Sequence, residues 1–399
     1  MSKLKINSII VLCSILFSLY LFEIYLNVLD EKKDFKEIKK IYEKKTGKVF
    51  DERTSREVYE QSKDLGFVMS VPPIVHINRY DKIFPLSGIS NAKTIGCNEN
   101  GYYSSYKSDR YGFNNLNSEW DENDIEFLLI GDSFTQGACV NRPDDIASVL
   151  RTLSKKAVLN LGYGGNGPLI EYATLKEYYK PAVKNVLWFY YEGNDFNDLE
   201  NELKDKTLKN YLNDNNFSQN LKNNQIQIDE INSQLISKSF FETNLKNIKK
   251  GSKIKYKVIK FLRLDKSKNV IKNTLMSDSS KHNYDEYSFK KILKKTNEYV
   301  IKNDSNFYFV YLPKLERYIQ CRFKPCKNDR PQKKKLKDHK QMVKKIIDDL
   351  GIYFIDIDQE VFAKEEDKLK LFPFGVLEHY NAEGYNKVAS KVYNFILNK

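Results

Sequence analysis

Short apolar runs alternate with amphipathic stretches along much of the chain after residue 120. Apolar runs of strand length occupy residues 125–130, 157–161, 183–191, 306–312 and 352–357. Stretches whose apolar positions have helical spacing occupy about residues 143–154, 169–179, 287–302, 335–350 and 381–397. Alternation of this kind predicts an α/β fold that has a parallel sheet and right-handed crossovers.

The alternation is interrupted once and is preceded by less regular sequence. Residues 197–285 are rich in Lys, Asn and Gln, and their patches of helical spacing predict a helical insertion. Residues 31–120 predict a charged juxtamembrane helix followed by an irregular lead-in that is rich in Pro and Gly. The sequence thus predicts three parts, over residues 1–30, 31–120 and 121–399.

The N-terminal segment has the composition of a membrane anchor. Residues 6–22 carry no charge, and the apolar character continues after Glu23 as far as Leu29. A helix over about residues 8–29 is long enough to span a bilayer. Because no small-residue cleavage site follows the apolar run, we expect an uncleaved transmembrane helix with a short cytoplasmic tip.

Composition excludes some classes of protein and leaves others open. The 399 residues are 41% hydrophobic and include 27 Tyr and 24 Phe, which is enough to fill a sizeable core. The net charge of +13, from 66 Lys and Arg against 53 Asp and Glu, is compatible with anionic surroundings, but genomic base composition is the favoured explanation of the richness in Lys, Asn, Ile and Tyr. No zinc-finger, RNP or helix-turn-helix pattern is visible, so we expect no nucleic-acid partner. Basic and apolar residues interleave over 246–268, which is typical either of a membrane-surface helix or of an ordinary amphipathic helix.

The cysteines indicate an oxidising compartment. Cys13 lies in the predicted membrane span, which leaves Cys97, Cys139, Cys321 and Cys326 for two bridges. Cys321 and Cys326 could close a short loop. A zinc half-site is the alternative for this pair, but no second half with suitable spacing follows. We therefore predict a single-pass inner-membrane protein whose main domain lies on the periplasmic side, with no metal and no organic cofactor.

Polar residues follow several of the predicted strands. The turn Gly131-Asp132-Ser133 follows the first strand, a glycine loop that includes Gly165 follows the second, and Asn194 follows the third. His379 lies in a loop after the last strand. The first turn alone could be only a capped helix start. Together, these groups have the layout of an acyl-transfer site: a serine hydroxyl, an imidazole base and donors for an oxyanion.

At these motifs the sequence resembles the SGNH (GDSL-type) hydrolase family, which includes membrane-anchored bacterial members. The resemblance covers Gly131-Asp132-Ser133, the segment 160–166, Gly193-Asn194-Asp195, and His379 before Asn381. It implies a three-layer α/β/α flavodoxin-like sandwich. It also implies that Ser133 is the nucleophile and His379 the general base, and that the oxyanion hole uses the Ser133 N–H, the Gly165 N–H and the Asn194 side chain. Esters are the usual substrates of this family.

One position departs from the family pattern. The aspartate that usually stands three residues before the histidine is replaced by Val376. Asp356 or Asp358, just after the last strand, could orient the imidazole instead, as could a backbone carbonyl. Glu378 is adjacent to His379 and poorly placed to reach the ring of its neighbour. Loss of this acid weakens catalysis without abolishing it.

Cys97 precedes the predicted nucleophile turn in the chain, and Cys139 follows it. Cys139 follows the turn closely, and Cys97 opens a segment that ends near Arg110 and Asn114. We predict a Cys97–Cys139 disulfide that holds this segment beside the site, with Arg110 or Asn114 as substrate contacts. The alternative is that Cys139 is a buried thiol.

Three functions are compatible with these observations. The first is an extracytoplasmic serine esterase or O-acyltransferase that acts on ester groups, especially O-acetyl groups, of an acylated surface glycan. The second is a binding or assembly factor for surface polysaccharide, built on the same fold with a decayed triad. The third is lipid ester hydrolysis at the membrane, for which the basic segment 246–268 would be the docking surface.

Overall fold

The computed structural model describes residues 3–29, 33–79, 82–249, 261–265, 267–268, 285–319 and 329–399. The chain divides into two compact units. The smaller unit comprises Met1–Thr46 and Ser237–Tyr284, and the larger unit comprises Gly47–Ile236 and Asp285–Lys399. Cys321, Cys326 and most of the basic segment 246–268 lie outside the described residues.

Five of the strands follow the predicted apolar runs closely, and three short strands precede them. The three short strands are β1 (Phe67–Met69), β2 (Lys93–Ile95) and β3 (Ser105–Lys107), and the five that follow the apolar runs are β4 (Ile125–Gly131), β5 (Ala157–Asn160), β6 (Val183–Tyr191), β7 (Asn306–Leu312) and β8 (Tyr353–Asp356).

The α-helices of the described residues lie between and around these strands. They are α1 (Lys3–Leu29), α2 (Lys33–Thr46), α3 (Ser55–Ser62), α4 (Ser133–Gln136), α5 (Ile146–Ser154), α6 (Pro168–Tyr178), α7 (Asp195–Glu202), α8 (Lys206–Asn213), α9 (Gln225–Lys249), α10 (Glu286–Lys302), α11 (Asp329–Asp349), α12 (Ile357–Glu360) and α13 (Ala382–Leu397).

A parallel five-stranded sheet forms the centre of the larger unit. Its strand order is β5-β4-β6-β7-β8, and each neighbouring pair is parallel. In order of appearance this is 2-1-3-4-5, the flavodoxin-like order. The strands read as nearly continuous apolar runs because helices cover both faces of the sheet. The predicted α/β class and parallel sheet are confirmed.

Different helices cover the two faces. On one face, α5 and α13 pack against Phe127 and Leu129 of β4 and their neighbours in one continuous core. On the opposite face of β6, Trp188 contacts α6, and Tyr190 contacts α10 and α11. This gives the three layers that the family resemblance implies.

The lead-in contributes to the same unit as the sheet. Strands β1, β2 and β3 form a small separate sheet in which β1 and β2 are parallel and β2 and β3 are antiparallel. The first part of α9 also packs here, since Asn232 bonds to His76 and to the Ser87 carbonyl. Helices α7 and α8, at the start of the predicted insertion, bury Leu199, Leu208 and Tyr211. Part of the insertion therefore belongs to the core of the larger unit.

The smaller unit contains the predicted N-terminal helix. Within it, Glu23 is almost fully buried and accepts hydrogen bonds from the backbone N–H and the hydroxyl of Ser267, at 2.7 and 2.6 Å. In the parts of the chain that the structure describes, no helix has the combined length and apolar character that a membrane crossing requires. The helix is thus confirmed, and the predicted span is not supported.

Candidate active site

The candidate site lies where the strand order of the sheet reverses. Along the chain, β4 is followed by β5 on one side of it and then by β6 on its other side. In open α/β sheets, ligands bind in the crevice beyond the carboxyl ends of the strands at such a switch point. Ser133 follows β4 directly and Asn194 follows β6, so both predicted groups lie at this crevice.

The turn after β4 presents the serine at the start of a short helix. Gly131 has φ +152°, and a Cβ there would lie 2.1 Å from Thr135 Oγ1, so only glycine fits. Asp132 caps α4 by accepting a hydrogen bond from the Phe134 N–H at 2.9 Å. Burial raises the pKa of Asp132 to about 7. Ser133 is the first residue of the helix, so its N–H has no acceptor within the helix and remains available to a ligand.

The serine hydroxyl meets the predicted base. Ser133 Oγ lies 3.0 Å from His379 Nε2, and the nearer Asp132 oxygen is 3.5 Å away, so the imidazole is the closer acceptor. His379 precedes α13, whose N-cap is Asn381. The imidazole packs on the ring of Phe134, with centroids 4.9 Å apart. Ser133 and His379, which the sequence motifs predicted, are far apart in the chain, and the fold brings them within hydrogen-bonding distance.

The acid that contacts the imidazole was not predicted. Glu99 Oε1 lies 2.8 Å from His379 Nδ1, and Glu99 Oε2 accepts the backbone N–H of His379 at 2.9 Å. A carboxylate only accepts hydrogen bonds, so Nδ1 carries the proton and Nε2 is free to accept one from Ser133. The two side chains are 19% and 18% exposed.

The pKa values of this pair move apart. Burial opposes charge on His379, but the hydrogen bond and charge of Glu99 outweigh it, and the pKa of His379 is raised. For Glu99, burial acts to raise the pKa, whereas the hydrogen bond and charge of His379 lower it further, so the net direction is down. Glu99 therefore stays ionised and stabilises an imidazolium at His379.

A disulfide holds residues 97–104, the glutamate segment that contains Glu99, next to the nucleophile turn. Cys97 and Cys139 are bonded, as predicted, with their Cα atoms 4.7 Å apart. Asn100 Nδ2 also donates to the Cys139 carbonyl oxygen at 2.9 Å. Cys139 Sγ lies 3.8 Å from His379 Nδ1. Because the two sulfur atoms are bonded to each other and Nδ1 faces Glu99, these ligand-type atoms are not free for a metal.

The acids proposed from the sequence have other partners. Asp356 caps α12 and pairs with Lys340 at 2.7 Å, and Asp358 accepts from Lys340 and from the Tyr318 hydroxyl. Glu378 accepts a hydrogen bond from the Tyr191 hydroxyl at 2.7 Å. None of the three is the acid that contacts His379 Nδ1. The prediction that one of them orients the ring is wrong, because Glu99 reaches the ring from a segment far upstream.

The predicted substrate contacts have structural partners. Arg110 pairs with Asp121 at 2.8 Å on the surface. Asn114 is buried, and its Nδ2 donates to the Gln136 carbonyl at the end of α4. Both side chains therefore serve the segment that supports the nucleophile turn.

The glycine loop after β5 lies against the serine. A Cβ on Gly164 would be 3.7 Å from Ser133 Cβ, and the Gly164 N–H donates to Gln136 Oε1 at 2.9 Å. Gly165 has φ +74°, and a Cβ there would lie 3.0 Å from Ile74, so a side chain would disturb the loop. Gly164 of this loop thus lies beside Ser133, and Gly165, the predicted oxyanion donor, is the next residue along the chain.

The side chain of Asn194, the third predicted oxyanion donor, forms a hydrogen bond with the carboxylate of Asp198. Asn194 Nδ2 donates to Asp198 Oδ2 at 2.6 Å. Burial raises the pKa of Asp198 to about 6, against the effect of this hydrogen bond. The amide nitrogen carries two hydrogens, so one can bond to Asp198 while the other serves a ligand. Glu202 fixes the far end of the glycine loop by accepting the N–H groups of Gly167 and Leu169.

Comparison with known proteins gives distant structural likenesses. No protein-family model matches the chain, and no curated protein sequence does. Among solved structures, the chain is similar to a protein assigned to the G-D-S-L lipolytic family from Desulfitobacterium hafniense (14% identity, 68% of this chain and 99% of that chain, TM-score 0.33). It is also similar to an acetyl xylan esterase (13%, 68% and 100%, 0.35). A third likeness is to a carbohydrate acetylesterase family member from Sinorhizobium meliloti (11%, 68% and 97%, 0.34).

Proposed function

We propose that the protein is a serine-dependent ester hydrolase or O-acyltransferase of the SGNH type. The observation that carries the proposal is the continuous line of contacts from Ser133 Oγ through the imidazole of His379 to the Glu99 carboxylate. A hydroxyl, a base and an acid in this order activate a nucleophile for attack on a carbonyl carbon.

The first half of the reaction acylates the serine. As Ser133 Oγ attacks the ester carbonyl, His379 Nε2 takes the hydroxyl proton, and the resulting imidazolium is stabilised by Glu99. His379 then donates the proton to the leaving alkoxide, which departs as an alcohol. The acyl group remains on Ser133 as an ester.

The negative charge of the tetrahedral intermediate is stabilised by hydrogen-bond donors. The Ser133 N–H, the Gly165 N–H and Asn194 Nδ2 have this role in the proposal. Donors that are fixed before the reaction stabilise the oxyanion without a reorganisation cost. In the second half, water or another hydroxyl group, deprotonated by His379, attacks the acyl-enzyme and restores the free serine.

The rival function, a non-catalytic binding factor, loses its main argument. That hypothesis depended on the missing aspartate at Val376. Glu99 now occupies the hydrogen-bonding position at His379 Nδ1 that this aspartate would have had. We therefore favour the enzyme over the binding factor.

The substrate and location remain part of the proposal. The resemblance of the motifs favours short acyl esters, in particular O-acetyl groups on a glycan. The Cys97–Cys139 disulfide supports a location outside the cytoplasm, because structural disulfides persist in oxidising compartments.

Hydrolysis of an activated acetyl ester tests the proposal. Purified full-length protein should hydrolyse p-nitrophenyl acetate, and Ser133→Ala and His379→Ala should each lower kcat/KM by roughly 10²-fold or more. Arg110→Ala is the matched control, since Arg110 lies in a surface ion pair. A rate for Ser133→Ala equal to that of the wild type would refute the proposal. Transfer to a sugar hydroxyl in the same assay would distinguish an acyltransferase from a hydrolase.

A further inference from the structure

The acid that orients His379 comes from a segment that is bonded covalently to the nucleophile turn. Glu99 stands two residues after Cys97, and Cys139 stands two residues after Gly137, which ends α4. We propose that the Cys97–Cys139 disulfide is a positioning element of the catalytic site: it holds Glu99 against His379, and a dithiol that reduces it switches the site off. This inference depends on the proposed function for its biological meaning.

Besides the disulfide, hydrogen bonds join the glutamate segment and the adjoining Ser105 to the residues that follow α4. The segment turns on itself, with the Ser104 N–H bonded to the Cys97 carbonyl and the Gly101 N–H to Asn98 Oδ1. Towards the nucleophile turn, Asn100 Nδ2 donates to the Cys139 carbonyl and the Ser105 N–H donates to Asn141 Oδ1, both at 2.9 Å. The disulfide is the covalent tie between the two segments. Without it, only non-covalent contacts hold Glu99 in place, among them its own two hydrogen bonds to His379, so we expect the carboxylate to contact the imidazole less of the time.

Reduction would also place a competing donor beside the imidazole. Cys139 Sγ is 3.8 Å from His379 Nδ1. A disulfide sulfur has no proton, but a thiol is a hydrogen-bond donor. A thiol that donates to Nδ1 favours the tautomer in which Nε2 carries the proton. In that tautomer, Nε2 cannot accept the proton of Ser133. Reduction would thus weaken the contact of His379 with Glu99 and also prevent His379 from acting as a base.

The chemistry of the switch is ordinary thiol–disulfide exchange. A thiolate of the dithiol attacks the Cys97 sulfur, which is half-buried, whereas Cys139 is fully buried. The S–S bond breaks, and Cys139 leaves as a thiolate that takes up a proton. The second thiol of the reagent then closes a disulfide within the reagent and releases Cys97 as a thiol. Two electrons pass from the dithiol to the protein, and oxidation reverses the step.

Steady-state kinetics of the full chain test the inference. After treatment with dithiothreitol, kcat for p-nitrophenyl acetate should fall by roughly tenfold or more while KM changes little, because acid–base assistance and not binding is lost. Reoxidation should restore kcat. Glu99→Gln already lacks the acid, so reduction should lower its residual kcat by a smaller factor than that of the wild type, through the Cys139 thiol alone. If reduction acted by unfolding the protein, Glu99→Gln would lose its remaining activity too.

Other cysteines provide matched controls. Cys321→Ser/Cys326→Ser and Cys13→Ser should keep the full response to dithiothreitol. Cys97→Ala and Cys139→Ala each remove the disulfide, but only Cys97→Ala leaves a thiol beside His379. We therefore expect low kcat for both variants and the lower value for Cys97→Ala. Wild-type kcat in either variant would overturn the inference.

A magnetic resonance measurement decides the inference even if no hydrolysis is found. The chain has four histidines, so the His379 resonances can be assigned with a single His379→Gln variant. In the oxidised protein, the Nδ1 proton should be observed in its hydrogen bond to Glu99. On reduction this signal should disappear, and the pKa of His379 should fall. A His379 titration that is the same in both redox states would contradict the inference, whatever the outcome of the Ser133→Ala assay.

Discussion

His379 is held at both ring nitrogens, and both contacts come from residues far upstream in the chain. Ser133 and His379 were found from the sequence because each stands in a recognisable motif next to a strand or helix. Glu99 belongs to a segment without periodicity, and nothing in its own neighbourhood marks it as an acid of the site. The available signal was Cys97: a disulfide to Cys139 brings any acid close to Cys97 near the nucleophile turn.

Replacement of Glu99 should have a large and specific effect on catalysis. In Glu99→Gln the imidazolium loses its carboxylate partner, so kcat should fall roughly 10²- to 10⁴-fold. Glu378→Gln is the matched control, because Glu378 is next to His379 in sequence but bonds to the Tyr191 hydroxyl. Its kcat should change less than about fivefold, since a hydrogen bond of about 1 kcal/mol can persist with the amide oxygen. Equal effects of the two substitutions on kcat would contradict the assignment of Glu99.

The pH dependence of kcat/KM should report the same contact. His379 accepts a proton only when neutral, so activity rises with pH through its pKa. Because Glu99 contributes to the raised pKa of His379, the midpoint should lie above the ordinary histidine value of about 6.5. In Glu99→Gln this cause is absent, and the midpoint should move to lower pH. Asp132 is present in both the wild type and Glu99→Gln, so a difference in midpoint between them is assigned to His379. An unchanged midpoint would contradict the contact between Glu99 and His379.

At the scale of elements, the segment between β3 and β4 supports the nucleophile turn. Asp109 is buried and accepts hydrogen bonds from two backbone N–H groups and from the side chains of Asn115 and Trp120. Asn115 in turn bonds to the backbone of Asn160 at the end of β5. The sequence could not reveal this role, because a polar segment around one glycine is compatible with a simple turn. The strands of the five-stranded sheet were predicted well, since each is an apolar run that is largely buried.

Stability measurements should separate two adjacent residues of this segment. Asp109→Ala leaves buried donors unpaired, so the free energy of unfolding should fall by about 3 kcal/mol or more. Arg110→Ala removes a surface ion pair and should cost about 1 kcal/mol or less. Urea unfolding followed by tryptophan fluorescence reports on the larger unit, which contains both tryptophans of the chain. Equal destabilisation by the two substitutions would contradict the supporting role of Asp109.

At the scale of the whole molecule, every residue of the candidate site belongs to the larger unit. Its sheet has its own core and its own helix layers on both faces. The order 2-1-3-4-5 and the alternation of apolar runs were within reach of the sequence. The division of the insertion between the two units could not be predicted from the sequence. Residues up to Ile236 belong to the larger unit and residues from Ser237 to the smaller one, although the composition changes little between them.

The larger unit should therefore be active by itself. A chain that lacks residues 1–46, and in which a Gly/Ser linker of equal length replaces residues 237–284, should hydrolyse p-nitrophenyl acetate with a kcat of the same order as the full chain. The Ser133→Ala version of the shortened chain is the control for background hydrolysis. A shortened chain that folds, by its tryptophan fluorescence, but has only background activity would show that the smaller unit is needed for catalysis.

The most direct measurement of the central claim is the mass of the covalent adduct formed with a fluorophosphonate. Such a reagent reacts with a serine that a neighbouring base has activated. We predict one adduct per chain, located at Ser133 by peptide mapping, absent in Ser133→Ala and formed far more slowly in His379→Ala and Glu99→Gln. No adduct at Ser133, or an adduct that forms equally fast without His379, would contradict it.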